Sequence, residues 1–503
     1  MAHDPVVAAA TREAAHLEPR FVFPEWEAAA EERLAARSKR PNILVVLFDD
    51  VGWGDFGCYG GGTAIGAPTP NIDRLARSGT LLTSCYSEPT CTPSRASLLT
   101  GRLPLRHGLL RPPMYDMPGG LDGEVTLAHL LSEAGYITQA VGKWHMGENP
   151  QSQPQNVGFD DFYGFLSVSD MYTEWRDPYF FPEVVYSDER TEWVKNMAFN
   201  KCFVHATRGA EPENVEEVTV PVLSLLDDKW ANYSLDFIRR MAGSDQPWFL
   251  YHCTRGAHFD NYPHPDFLGK SPAKHPYKDT ILELDDIVGR LVRELEATGQ
   301  LEDTVVVVSS DNGPNTETWP DAAFTPFRSS KGSTWEGGQR VPGIVSWPGT
   351  VPADRVTDGL FSLMDLFNTS LRLAGAEPPP DRFVDGVDQT SFLLGDDAPS
   401  NRKYLYYWLM NVFSGVRVGE WKFMMASSTD DDSDVMHLGG LSGAYQRYTQ
   451  GRLFNLYLDP KESHSYLIRK LAYVDAFVNG IRDHILSFHG DYPAKIAMAP
   501  MTA

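Results

Sequence analysis

From Pro41 onward the chain alternates between two hydrophobic rhythms. Unbroken apolar runs such as NILVVLF (42–48) and TVVVVSS (304–310) show no polar alternation, as expected of strands buried on both faces. Between such runs, apolar residues recur every three or four positions. TPNIDRLARSG, with Thr69 as the cap and Gly79 as the stop, predicts an amphipathic helix. TLAHLLSEAG (126–135) repeats that design, and ILELDDIVGRLVRELEATG (281–299) predicts a longer helix. YITQAVG, WFLYHCT (248–254) and VPGIVSW (from Val341) read as further strands, and LFSLMDLFNTSLRLAG (360–375) as another helix. Strands alternating with helices predict an α/β fold with a large, mainly parallel or mixed central sheet sandwiched by helices.

The rhythm changes at both ends. Residues 1–40 predict an N-terminal arm carrying a surface helix in PEWEAAAEERLAARSKR. AEPPPDRFVDGVD interrupts the alternation, and beyond about residue 395 KYLYYWLMNVFSGVRVGEWKFMM and RLFNLYLDP predict a smaller C-terminal antiparallel sheet. A terminal helix from roughly Tyr473 to Phe488 is expected to pack on that sheet. The expected organisation is an arm (1–40), a catalytic α/β domain (41–395) and a C-terminal α+β subdomain (396–503). The aromatic-rich stretch from Ser167 to Trp193 fits neither rhythm; it reads equally as a cover or oligomer contact and as a wall of a pocket.

With 503 residues, one large domain plus a smaller one is the expected outcome. A formal net charge of −23 argues against nucleic acid and anionic membrane surfaces as partners, while a local cationic pocket could still hold a small anion. The five cysteines are odd in number and form no CxxC pair, which argues against a disulfide framework or a structural zinc site. MAHDPVVAAATREAAHLEPR lacks an apolar core and does not read as a secretory signal, and no apolar run is long enough to span a bilayer. The expected location is cytoplasmic, and whether the chain forms a homo-oligomer is left open.

In open α/β sheets ligands bind at the carboxyl ends of strands. Asp49 and Asp50 follow NILVVLF, Asp311 and Asn312 follow TVVVVSS, and Lys143 and His145 follow YITQAVG. His258 comes after WFLYHCT, and Lys331 lies in SSKGSTWEGG just before VPGIVSW. Taken singly, an Asp pair is a turn or cap, SDNG is a common turn, and a loop Lys or His is a solvated group. Their convergence on one rim argues for a site. Asp49, Asp50, Asp311 and Asn312 offer only oxygen ligands, which suit a hard cation: Ca²⁺, with Mg²⁺ as the alternative. Without such an ion the clustered carboxylates are expected to repel one another, raising at least one pKa. Arg95, Lys143, Lys331, His145 and His258 form a cationic half suited to a tetrahedral oxyanion.

CTPSRASLLTGR raises a separate question. Pro93 suits a first helical turn, leaving Cys91 just before the helix N-terminus, where an anion is favoured. A thiolate there could be a nucleophile, yet a soft donor is mismatched to hard calcium. The stretch resembles the C-x-P-S-R maturation motif, with L-T-G-R downstream, of the type I sulfatases of the alkaline phosphatase superfamily. The resemblance extends in family order from Pro41 to about Leu458 through PNILVVLFDDVGWGDFGCYG, PTPNIDRLARSG, GKWHMG, GFDDFYG, SSDNG, KGSTWEGGQRVPGIVSWPG and RVGEWKFM.

That resemblance implies an arylsulfatase hydrolysing sulfate monoesters. Cys91 would be oxidised to formylglycine (3-oxoalanine) by a formylglycine-generating enzyme, and the hydrate, a hard oxygen ligand, would be the nucleophile. It implies that Asp49, Asp50, Asp311, Asn312 and modified Cys91 hold the calcium. Arg95 and Lys143 would stabilise the hydrated aldehyde, and Lys143, His258 and Lys331 would contact the sulfate. Asp311 would take the nucleophile's proton, and a covalent sulfate hemiacetal would then collapse as His145 deprotonates the second hydroxyl. Many arylsulfatases carry a serine near the sulfate where alignment here puts Val168, between Ser167 and Ser169, so that role is unassigned. The alternative is a phosphonate or phosphate ester hydrolase of the same superfamily. A non-catalytic binding homologue ranks behind both, because every expected metal and charge position is filled.

Overall fold

A computed structural model describes residues 16–113, 119–173, 200–316, 321–428 and 445–489, and between 174 and 199 only 177, 187–189 and 192. Most of the aromatic stretch from Ser167 to Trp193 therefore lies outside the described residues, as do residues 1–15 of the arm.

Ten strands build the central sheet: β1 (Asn42–Phe48), β2 (Thr80–Leu82), β4 (Ile137–Lys143), β5 (Asp161–Phe165), β6 (Cys202–Thr207), β7 (Glu213–Glu217), β8 (Trp248–Cys253), β9 (Thr304–Ser310), β11 (Gly343–Ser346) and β12 (Arg355–Thr357). Their order is β12-β2-β11-β9-β1-β8-β4-β5-β6-β7. The middle strands β9, β1, β8 and β4 are all parallel, while β11 on one side and β6 and β7 on the other pair antiparallel. The sheet is thus mixed, parallel at its centre.

β1 shows why its sequence has no alternation. Ile43, Val45 and Leu47 face one layer, against Leu98 and Leu99 of α3 (Cys91–Thr100), Leu131 of α4 (Leu127–Glu133) and Leu371 of α7 (Asp365–Ala374). Leu44, Val46 and Phe48 face the other, against Leu75 of α2 (Pro70–Arg77), Trp230 of α5 (Leu226–Met241) and Leu284 of α6 (Pro276–Ala297). Each face buries its own apolar layer, so both parities must be apolar. The arm contributes α1 (Pro24–Ala35), which carries Pro24 at its start.

The C-terminal sheet, order β14-β15-β16-β17, is antiparallel and comprises β14 (Leu405–Leu409), β15 (Val412–Val418), β16 (Trp421–Ser428) and β17 (Tyr445–Asn455). α8 (Leu471–Leu486) packs Phe477 onto Val416, Phe423 and Leu453 of it. A buried ion network ties this unit to the larger one: Lys422 Nζ lies 3.1 Å from Glu336 and 2.8 Å from Glu462. Among the described residues no helix is long and apolar enough to cross a membrane.

Several local expectations are corrected. VPGIVSW is not one strand: β10 (Arg340–Val341) joins β3 (Cys85–Tyr86) and β13 (Phe361–Ser362) in a small third sheet, and β11 joins the large one. Pro342 separates them, since it has no N–H for a ladder and a chain changing sheets needs such a break. The helix expected from 360 begins only at Asp365, whose carboxylate accepts from Ser362 N (2.9 Å) and Val387 N (2.7 Å). Thr69 does not cap α2 with its side chain; its hydroxyl accepts from Gly57 N at 2.8 Å.

One buried histidine makes a stability prediction. His252, on β8, is fully buried beside Ser234 Oγ at 2.8 Å, and burial, reinforced by Arg290, pushes its pKa down to about 3. The unfolded chain binds that proton below about pH 6.5 while the fold refuses it, so stability is complete above that pH and is lost on acidification. At pH 5 this amounts to about 2 kcal/mol. His252→Asn is expected to flatten the unfolding free energy between pH 7 and 5 by that amount in denaturant titrations; an unchanged slope contradicts the assignment.

Candidate active site

The parallel order β9-β1-β8-β4 places four carboxyl ends side by side. Asp311 and Asn312 leave β9, Asp49 and Asp50 leave β1, His258 follows β8, and Lys143 is the last residue of β4. Asp50 has φ +62° and His145 φ +60°, left-handed conformations that turn the chain sharply where each strand ends. α3 begins at Cys91, capped by the backbone of Thr90, so the cysteine is the first helical residue rather than the one before it. Lys331 reaches the rim on a loop anchored through its own N–H to Pro314 O (2.9 Å) and through Gly332 N to Pro89 O (2.7 Å).

These side chains interlock. Cys91 Sγ lies 3.6 Å from Asp49 Oδ1 and 4.0 Å from Asp50 Oδ1. Lys143 Nζ donates to Asp49 Oδ2 at 2.6 Å, and Lys331 Nζ lies 2.7 Å from Asp50 Oδ1. Arg95 donates from Nε (2.9 Å) and Nη2 (2.7 Å) to Asp311 Oδ2 and from Nη1 to Lys143 O (3.1 Å). Asp311 Oδ1 accepts from Asp50 N at 3.2 Å, and Asn312 Nδ2 donates to Asp50 Oδ1 at 2.7 Å. His258 Nε2 stands 3.8 Å from Asp50 Oδ2. The His145 ring is buried with neither nitrogen hydrogen-bonded, while its carbonyl accepts from Thr92 Oγ1 at 2.7 Å.

The electrostatics correct one expectation. Burial would raise the pKa of Asp49 and Asp50, but Lys143 and His258 beside the first, and Lys331 and His258 beside the second, hold both below the ordinary carboxylate value. The carboxylates therefore stay ionised, matched by Arg95, Lys143 and Lys331. Burial works against charge on Lys143 as well, yet Asp49 keeps its pKa above the ordinary ammonium value. Burial, then Lys143 and Arg95, drive His145 far down, so its imidazole is neutral at pH 7. Burial and Asp311 push the Cys91 thiol well up.

The oxygen donors of the site, from Asp49, Asp50, Asp311 and Asn312, suit a hard divalent cation. One carboxylate oxygen each of Asp49 and Asp50, the Cys91 sulfur and a His258 nitrogen all lie within 4.8 Å of one another. Asn312 Oδ1 is buried without a hydrogen-bond partner, as an amide oxygen reserved for a ligand would be.

A family model for Sulfatase matches residues 41–376. The chain belongs to the sulfatase family. A sulfatase C-terminal domain model (AslA) matches residues 414–487. N-acetylgalactosamine-6-sulfatase of Canis lupus familiaris is 37% identical over 400 residues, 77% of this chain and 72% of the relative. Arylsulfatase A of Homo sapiens is 33% identical over 460 residues, covering 86% and 84%. The crystal structure of PsFucS1 sulfatase from Pseudoalteromonas sp. superposes with a TM-score of 0.92 at 38% identity, covering 97% of this chain and 98% of that one. The protein is a type I sulfatase of the alkaline phosphatase superfamily, a sulfuric ester hydrolase.

In this sulfatase Val168 is buried in the apolar layer that contains Phe165 and Trp230, so the position aligned with the family serine presents no hydroxyl. Ser167 Oγ beside it is buried and unbonded. The sequence reading missed Asp170, whose Oδ1 lies 3.3 Å from His258 Nδ1. That nitrogen also lies 2.5 Å from Phe259 O, and this placement of the ring directs Nε2 toward Asp50. Asp170 sits inside the stretch from Ser167 to Trp193, where it is one of several acidic residues and nothing in the local sequence sets it apart.

Proposed function

We propose that this sulfatase hydrolyses sulfate monoesters, aryl sulfates among them, using formylglycine made from Cys91 and a divalent cation, Ca²⁺ by preference. The observation that carries this reading is the approach of Cys91 Sγ to two ionised carboxylates paired with the buried Arg95 and Lys143 and the partly exposed Lys331. Asp49, Asp50, Asp311, Asn312 and the modified residue would hold the cation. Once in place, the pair supplies a hard oxygen nucleophile and Lewis acidity.

The remaining work belongs to the side chains. The site's three carboxylates and its Arg and two Lys cancel in charge, so a divalent cation leaves a net positive pocket matched to an anionic ester. Arg95 is fixed by three hydrogen bonds and contributes a preorganised charge that needs no reorganisation. Asp311 Oδ1 accepts only a backbone N–H at 3.2 Å among its described partners, leaving it able to receive the nucleophile's proton. Lys331, its side chain 12% exposed, stands at the open side, and with the buried His258 it neutralises charge on the departing oxygen. His145, neutral and without a hydrogen-bond partner, serves as the second base. Cys91 is only 4% exposed, so the formylglycine-generating enzyme must act before the chain closes around it.

Lys331→Ala and His258→Ala are expected to lower kcat/KM for poor leaving groups by about 10²-fold or more while costing activated nitrophenyl sulfate far less. Equal losses on both esters sink the leaving-group assignment. The reading as a whole is tested by mass spectrometry of the Cys91 peptide from protein made in its native host, followed by turnover of sulfate and phosphate esters. The expected result is an aldehyde at Cys91 with sulfate hydrolysis dominant. An unmodified cysteine in active protein overturns the mechanism, and dominant phosphate or phosphonate turnover overturns the substrate class. The relatives are named both as N-acetylgalactosamine-6-sulfatases and as arylsulfatases, so 4-nitrophenyl sulfate and N-acetylgalactosamine 6-sulfate form the informative pair.

A further inference from the structure

His258 is carried by a tight turn after β8, and that turn is held from behind by a residue of another element. Asp227, the second residue of α5, is buried, and its carboxylate grips two successive backbone N–H groups. Oδ1 accepts from Arg255 N and Oδ2 from Gly256 N, each at 2.8 Å. A Cβ on residue 256 would stand 2.8 Å from Asp227 Oδ2 and 2.8 Å from Thr280 Cγ2, so this approach needs glycine. The next residue, Ala257, has φ +75°, a conformation that alanine adopts only when its surroundings impose it. His258 N closes the turn on Arg255 O at 3.3 Å. The Arg255 guanidinium, with Nε 3.9 Å from Asp227 Oδ2, balances the buried carboxylate.

We propose that Asp227 is a positioning residue for His258: by clamping the N–H groups of Arg255 and Gly256 it forces Ala257 into the left-handed region and sets the imidazole between Asp50 and Asp170. The inference rests on the reading of His258 as a leaving-group residue. Asp227 does not touch the substrate. Losing one acceptor strands a buried N–H, which the turn relieves by relaxing Ala257 and carrying the ring away from its place. A proton donor displaced by about 1 Å can cost on the order of 10²-fold in rate.

The test measures kcat/KM on a series of aryl sulfates of graded leaving-group pKa for Asp227→Asn, Gly256→Ala, His258→Ala and the double variant Asp227→Asn/His258→Ala. Asp227→Asn is expected to cost about tenfold or more on the poorest leaving group and less than about threefold on 4-nitrophenyl sulfate. In the His258→Ala background the same change should add less than about twofold. Gly256→Ala, which presses on the clamp from the other side, should reproduce the pattern; it carries the test if Asp227→Asn fails to fold. Equal losses across the series, or the same cost with and without His258, overturn the proposal while leaving the role of His258 intact. A His258→Ala enzyme without leaving-group dependence overturns the reading of His258, and the proposal with it.

Discussion

Cys91→Ser is expected to lower steady-state turnover by at least about 10⁴-fold, with little change in the folded state. The side chain is almost isosteric, its Sγ makes only the long contacts of 3.6 and 4.0 Å to Asp49 and Asp50, and α3 is anchored elsewhere by Leu98 and Leu99. Stability should therefore move by less than about 1 kcal/mol. A serine hydroxyl can attack once, but it offers no second hydroxyl through which sulfate could leave, so at most a single turnover is expected. Burst kinetics on an activated aryl sulfate, with the protein mass followed in parallel, measure this directly. Sustained turnover by the serine variant means that the thiol-derived group is not the nucleophile.

Asp311→Ala should show a second large effect, in both activity and stability. Arg95 is fully buried and aims Nε and Nη2 at Asp311 Oδ2; its remaining anchors are Lys143 O at 3.1 Å and Asp49 Oδ1 at 3.8 Å. Removing one partner of a buried pair typically costs about 3–5 kcal/mol, and the surviving contacts place this case near the lower end. Turnover should fall about 10³-fold, because a cation ligand, a proton acceptor and the anchor of a charge donor are lost together. Melting curves, metal content after dialysis and kcat/KM together check the prediction. Full turnover by metal-free Asp311→Ala protein would overturn the cation reading.

The runs NILVVLF and TVVVVSS became β1 and β9 with the expected bounds, because apolar residues at successive positions suit a strand buried on both faces. The rule that ligands gather at the carboxyl ends of parallel strands was enough to pick out Asp49, Asp50, Lys143, His258, Asp311 and Asn312. Cys91 and Arg95 came from a motif, whose local chemistry makes sense only beside the carboxylates. Local patterning failed where a residue's partner is remote. Thr69 has the sequence of a helix cap but bonds Gly57, and Pro342 splits an apolar run between two sheets.

By itself, then, the sequence determined the layered α/β architecture, the mixed sheet and its smaller companion, and the chemical identity of the rim, all set by side-chain type and short-range periodicity. Only the tertiary structure decided the ionisation of that rim. Without a cation the clustered carboxylates were expected to repel one another and at least one pKa to rise; instead Lys143, 94 residues from Asp49, and Lys331, 281 from Asp50, hold the pKa of both Asp49 and Asp50 below the ordinary value. It also decided that Asp170 and Asp227 address His258, one at the ring and one at the backbone. Electrostatic energy falls off with distance in space, and distance in space is what a linear sequence leaves unspecified until the chain folds.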